Sequence, residues 1–164
     1  VEVELISQEN REKRLKSLLR PVREGFHYII IDCPPSLGML TINSLTAADS
    51  VLIPLQCEYF AMEGLAQLIA TIRKVKKTLN RDLFIEGLLL TMYDRRNRLT
   101  HSVATEIQKH FGEQVYRTVI PRNVRLSESP SHGQTIIEYD PACPGAKAYK
   151  QLGGEFLKRS QGRA

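Results

Sequence analysis

Tyr28-Ile29-Ile30-Ile31-Asp32-Cys33-Pro34-Pro35-Ser36 is the stretch whose reading decides the fold. The apolar run from Tyr28 to Ile31 is far too short to span a membrane. It reads as a strand buried on both faces, which a parallel sheet requires. Asp32 ends the run, and the two prolines that follow take the backbone out of any ladder. A carboxylate at the C-terminal edge of such a strand stands where open α/β sheets bind ligands. There it can hold a hydrated divalent ion. The plainer alternative is a strand whose first exposed residue happens to be an aspartate.

Around this stretch the chain alternates helix and strand. Leu15, Leu18 and Leu19 give a short basic helix that Pro21 ends. Residues 37–48 read as a short helix, Ser50 to Leu55 as a strand stopped by Pro54, and Glu58 to Asn80 as the longest helix. Phe84 to Met92 reads as a third strand, in which Gly87 marks a close backbone approach. A helix from about Thr100 to Phe111 is closed by Gly112. Val115 to Ile120 reads as a fourth strand halted at Pro121. Residues 121–144 are rich in proline and are expected to hold only short helical turns, before a terminal helix over Lys147 to Lys158. Strand, helix, strand in this order specifies α/β: three layers, a mostly parallel sheet with helices on both faces.

The chain has 164 residues, 42% hydrophobic and 25% charged, with net charge +5. That suits one ordinary domain and is compatible with a polyanionic partner without requiring one. Cys33, Cys57 and Cys143 are widely spaced, with neither disulfide nor zinc-ligand spacing, which fits a reducing compartment. Cys33 beside Asp32 reads as a small buried filler rather than a nucleophile. The start, Val1 to Leu5, has no initiator Met and no signal run, and looks like an interior start.

Polar loops follow each expected strand: 32–36, 56–59, 92–98 and 121–125. In a parallel sheet such loops converge on one crevice. Asp94 either faces that crevice or caps the next helix. A phosphate-binding G-x-x-x-x-G-K-[ST] segment is absent from these 164 residues. Arg122 and Arg125, with Arg95, Arg96 and Arg98 in the neighbouring loop, either form a basic patch or are scattered solvated charges.

The stretches YIIIDCPPS (28–36), Leu45 to Leu65 through PLQCEYFAMEGL, LTMYD (90–94) and VIPRNVRLSESPSHG (119–133) resemble ParA/Soj-type chromosome or plasmid partitioning ATPases. These belong to the deviant Walker A group that includes MinD-like proteins. The resemblance runs from about Val3 to Phe156 and implies that 1–164 is a single α/β domain, the C-terminal two thirds of a ParA-type ATPase domain. It implies a P-loop NTPase-like fold, a cytoplasmic, nucleoid-associated protein, and ATP with Mg2+ as cofactors. It further implies an ATP-dependent homodimer, DNA binding without sequence preference, and hydrolysis stimulated by a ParB/Spo0J-type partner. By the same resemblance Asp32 is the catalytic, metal-side carboxylate. Met92, Pro121, Arg122 and Asn123 lie around the adenine. Arg96 and Arg125 bind DNA. The family's phosphate-loop lysines and general-base aspartate lie upstream of these stretches, so the fragment alone is expected not to hydrolyse ATP. Cys33 stands where the family more often has Ala.

A MinD-like, membrane-associated reading needs an amphipathic C-terminal helix with an apolar face. The tail from Gly154 to Ala164 is polar, so no membrane partner is expected. A third reading is a naturally short module that binds DNA or a partner without nucleotide.

Overall fold

The computed structural model describes residues 9–34 and 36–162. Outside them lie the start from Val1 to Leu5, the second proline of the Pro34-Pro35 pair and the last two residues of the tail. In order, the elements are α1 (Arg14–Leu19), α2 (Met39–Ala47), β1 (Ser50–Gln56), α3 (Ala61–Thr78), β2 (Phe84–Thr91), α4 (Arg98–Phe111), α5 (Val124–Glu128), α6 (Ile136–Tyr139) and α7 (Pro144–Gln161). The class is α/β with a parallel sheet, as expected, and β1 pairs with β2. Two compact units are present: Val1–Val51 with Gly64–Glu86, and Leu52–Glu63 with Gly87–Ala164.

In the first unit, α2 buries Leu45 and Ala47 together with Thr41, Asn43, Ser44 and Thr46. Polar groups are tolerated inside only when bonded. Asn43, Ser44 and Thr46 each donate to the carbonyl four residues back, at 3.0, 2.9 and 2.7 Å. Asn43 also accepts the backbone N–H of Leu15, which seats α1. Asn80 donates to the carbonyls of Leu45 and Ala48, satisfying carbonyls that the C-terminal end of α2 cannot pair within the helix. Helix α3 presents Leu65, Ile72 and Val75 to the interior at helical spacing.

The expected strand at 27–31 does not form. Among the described residues no strand or bridge includes it, and Ile30 is 94% exposed. Its hydrophobicity expresses a demand for burial, whereas a strand also needs a neighbouring backbone. Cys33, expected to be a buried filler, is exposed for the same reason. Pro54 does not end β1 but sits inside it, exposed. Proline lacks the ladder N–H and is at home on a strand edge, and β1 has β2 as its one strand neighbour among the described residues.

In the second unit, the Val115 to Ile120 stretch is not a regular strand. It runs beside β2 through two isolated parallel bridges, Leu88 with Val115 and Tyr93 with Pro121. Between these bridges the chain from β2 into its following loop advances five residues and its neighbour six, so one residue is extra, as in a bulge. The amides of Arg117 and Thr118 turn instead to the carboxylate of Glu155 on α7, each at 2.9 Å. Arg159 holds Glu155 at 2.9 Å and lies 4.1 Å over the ring of Tyr116. Leu89, Tyr116, Ile120 and Ala148 form the core here, with Leu52, Leu126, Leu152 and Phe156 around it.

Gly87 marks a close approach, as its place in the sequence suggested. A Cβ there would stand 2.5 Å from the Tyr116 ring and 2.7 Å from the Gln114 carbonyl. Gly112 closes α4 at φ 52 and ψ −121, a positive φ that glycine tolerates but outside the left-handed helical region.

Candidate functional site

The end of β2 sets the geometry of the site. Met92, the first residue beyond the strand, adopts φ 52, which is strained for a residue with a side chain. The chain turns there into the loop Tyr93 to Asn97. Tyr93 then binds the neighbouring strip on both sides. Its N–H donates to Ile120 at 3.0 Å, and its carbonyl accepts the N–H of Arg122 at 3.1 Å. The structure therefore brings Met92, Asp94 and Arg96 beside Pro121, Arg122 and Asn123, within the second unit.

Asn123 has a defined local task. Its Oδ1 accepts the N–H of Arg125 at 2.9 Å and caps α5. Asp94 does not cap α4; Asn97 does, accepting the N–H of Leu99. Asp94 accepts the backbone N–H of Arg96 at 3.0 Å and pairs with its guanidinium at 3.3 Å. These bonds, with the more distant charge of Arg122, hold the Asp94 carboxyl below the usual carboxylate range. Arg96 itself is 91% exposed.

Arg125 lies in a small charged network. Its Nη1 meets Glu128 at 2.9 Å, and its Nε meets Asp140 at 3.5 Å. The hydrogen bond and charge of Glu128 hold the guanidinium more firmly protonated. Tyr139 donates its hydroxyl to the same Glu128 oxygen at 3.3 Å and stacks on His132 with ring centroids 4.9 Å apart.

Three contributors were not legible in the sequence. Arg117 and Lys147 join Arg95, Arg96 and Arg122 around a cavity of about 690 Å³, with Asp94 its acidic wall. They are remote from one another in sequence, and only the α7 contact to the 115–120 strip places them together. The third is His101. One ring nitrogen meets the Tyr93 hydroxyl at 3.1 Å and the other the Arg95 carbonyl at 2.8 Å. A histidine one turn inside a helix gives no signal of this by spacing.

Asp32 belongs to the first unit and is exposed within the irregular 27–34 segment. Among the described residues, no group of three or more His, Cys, Asp or Glu side chains converges as a metal cage. Magnesium does not need one. It is commonly held by one or two carboxylates, phosphate oxygens and water, and Asp32 fits such a single-carboxylate role.

Residues 1–85 match the family model described as an AAA domain. The sporulation initiation inhibitor protein Soj of Bacillus subtilis is 60% identical over 154 residues, covering 94% of this chain and 61% of that protein. The chromosome partitioning protein ParA of Myxococcus xanthus is 58% identical, covering 96% of this chain and 56% of that protein. Among solved structures, cobyrinic acid a,c-diamide synthase from Mycobacterium smegmatis with bound ADP and magnesium superposes with TM-score 0.81. It is 34% identical and covers 99% of this chain and 59% of that one. The chain thus spans about three fifths of the length of the proteins it matches.

Proposed function

The chain belongs to the ParA/Soj-type branch of the AAA-domain family, and on that premise we propose that it is the C-terminal part of a DNA-partitioning ATPase. In the whole protein, ATP with Mg2+ drives homodimerisation, and the dimer binds DNA without sequence preference. A ParB/Spo0J-type partner stimulates hydrolysis, and the protein works in the cytoplasm on the nucleoid. Asp32 contributes the metal-side carboxylate, and a phosphate-binding loop outside these 164 residues supplies the phosphate grip. Met92, Pro121, Arg122 and Asn123 surround the adenine. Arg96 and Arg125 contact DNA phosphates, which position but do not read sequence.

The observation that carries this reading is the backbone join at Tyr93. It sets the arginine-bearing loop 93–97 against the Pro121-Arg122-Asn123 segment, which supports a base contact and phosphate contacts side by side. The cationic wall of the 690 Å³ cavity supports a polyanion beside it. No helix among the described residues is long and apolar enough to cross a membrane.

The test is Arg125→Glu in the whole protein. We expect duplex DNA affinity to fall about tenfold or more at low salt while ATP binding is retained. Equal DNA affinity in a gel shift would refute the assignment.

A further inference from the structure

Both arginines proposed to contact DNA are already paired with a carboxylate close by in sequence, Arg96 within its loop and Arg125 within α5. Arg96 meets Asp94 at 3.3 Å, two residues away, and Arg125 meets Glu128 at 2.9 Å, three residues away. Arg125 is engaged a second time, from another element, by Asp140 at 3.5 Å. Glu128 is steadied by the Tyr139 hydroxyl, and Asp140 by the N–H of Cys143, which its Oδ1 accepts at 3.2 Å. These acids are therefore not loose counter-ions. They meet the guanidinium at Nη1 and Nε, N–H donors that a phosphate oxygen could also take.

We propose that Glu128 and Asp140 set the affinity of this surface for polyanions, standing in the place of phosphate on Arg125 until DNA displaces them. The inference rests on the proposed DNA contact at Arg125 and adds two residues of opposite charge to it. Displacing a built-in carboxylate leaves a phosphate little net gain from any single arginine, because an exposed ion pair is itself weak. Binding then becomes appreciable only when several phosphates are engaged together, as in a dimer on one duplex. Weak single contacts and dependence on multivalency follow from the same pairs.

The experiment uses Glu128→Gln and Asp140→Asn, singly and together, in the whole protein with ATP and Mg2+ present. Each amide keeps an oxygen to accept from Tyr139 or from the Cys143 N–H and removes only the charge. A fluorescein-labelled mixed-sequence duplex is titrated at several NaCl concentrations, beside the wild type and Arg125→Glu, with circular dichroism as the folding control. We expect each single variant to bind about threefold tighter at low salt, and the double variant about tenfold tighter, with the gain lost when Arg125→Glu is added. Unchanged or weaker binding by both single variants overturns the proposal, since the acids would then position Arg125 rather than oppose phosphate. If neither wild type nor double variant binds the duplex, the DNA reading falls and this inference with it. If the wild type binds, Arg125→Glu does not, and the amide variants match the wild type, the DNA reading stands and only the inference fails.

Discussion

Glu155 accepts the backbone N–H of Thr118 at 2.9 Å, across 37 positions of sequence. With the same bond to Arg117, one carboxylate completes a strip that the sheet leaves half paired. Burial opposes the charge on Glu155, but the two amides and Arg159 outweigh it, and its pKa lies below the ordinary value. A carboxylate with a lowered folded pKa adds stability that is fully present above its unfolded pKa. That stability is lost as pH falls through the folded pKa. Glu155→Gln should therefore lower stability at neutral pH by about 1–2 kcal/mol and flatten its decline under acid. Urea midpoints for both proteins, from neutral pH down through the carboxylate range, measure this. Parallel curves would show that Glu155 is not the group responsible.

Gly87→Ala should cost about 1–3 kcal/mol, because the added methyl meets both the Tyr116 ring and the Gln114 carbonyl. The urea midpoint is the readout.

Gly64→Ala should do the opposite. Gly64 lies on the exposed side of α3, and a Cβ there meets nothing within 4 Å. A gain of up to about 1 kcal/mol is expected from helix propensity and a less flexible unfolded chain. A thermal melt showing no gain would contradict it.

Ile30→Ser should reduce concentration-dependent association of this chain. An isoleucine 94% exposed within an apolar run invites association with another copy. Light scattering across a concentration series would show less growth in mass for the variant.

Asp32→Asn in the whole protein should abolish magnesium-dependent turnover with little change in melting temperature, since the side chain is exposed. Steady-state hydrolysis equal to wild type would remove Asp32 from the metal site.

The helices and their ends were legible because their signals are local. Apolar spacing located α3, Gly112 marked the end of α4, and Gly87 announced a tight approach. The failures were of one kind. At 28–31 and at 115–120 the sequence shows β-branched, apolar character, but a strand is a relation between two backbones. The first stretch finds no ladder among the described residues, and the second finds one only at its two ends. Pro54 misled for a related reason: its ring forbids a central ladder position but not an outer one. At the candidate site, Met92, Pro121, Arg122 and Asn123 were named only through the resemblance to ParA/Soj-type proteins. Glu128, Asp140, Arg117 and Lys147 were not named at all, because what they do depends on which distant side chains they meet.

The join at Tyr93 is made by its peptide groups, not by its ring. Any residue except proline can supply that N–H and carbonyl, so the coupling of the two loops is largely immune to side-chain drift at this position. The phenol is then available for a separate purpose, the link to His101, and Tyr93→Phe would sever that link alone. Lineages of this chain can retune how the arginine loop is braced while inheriting its attachment unchanged.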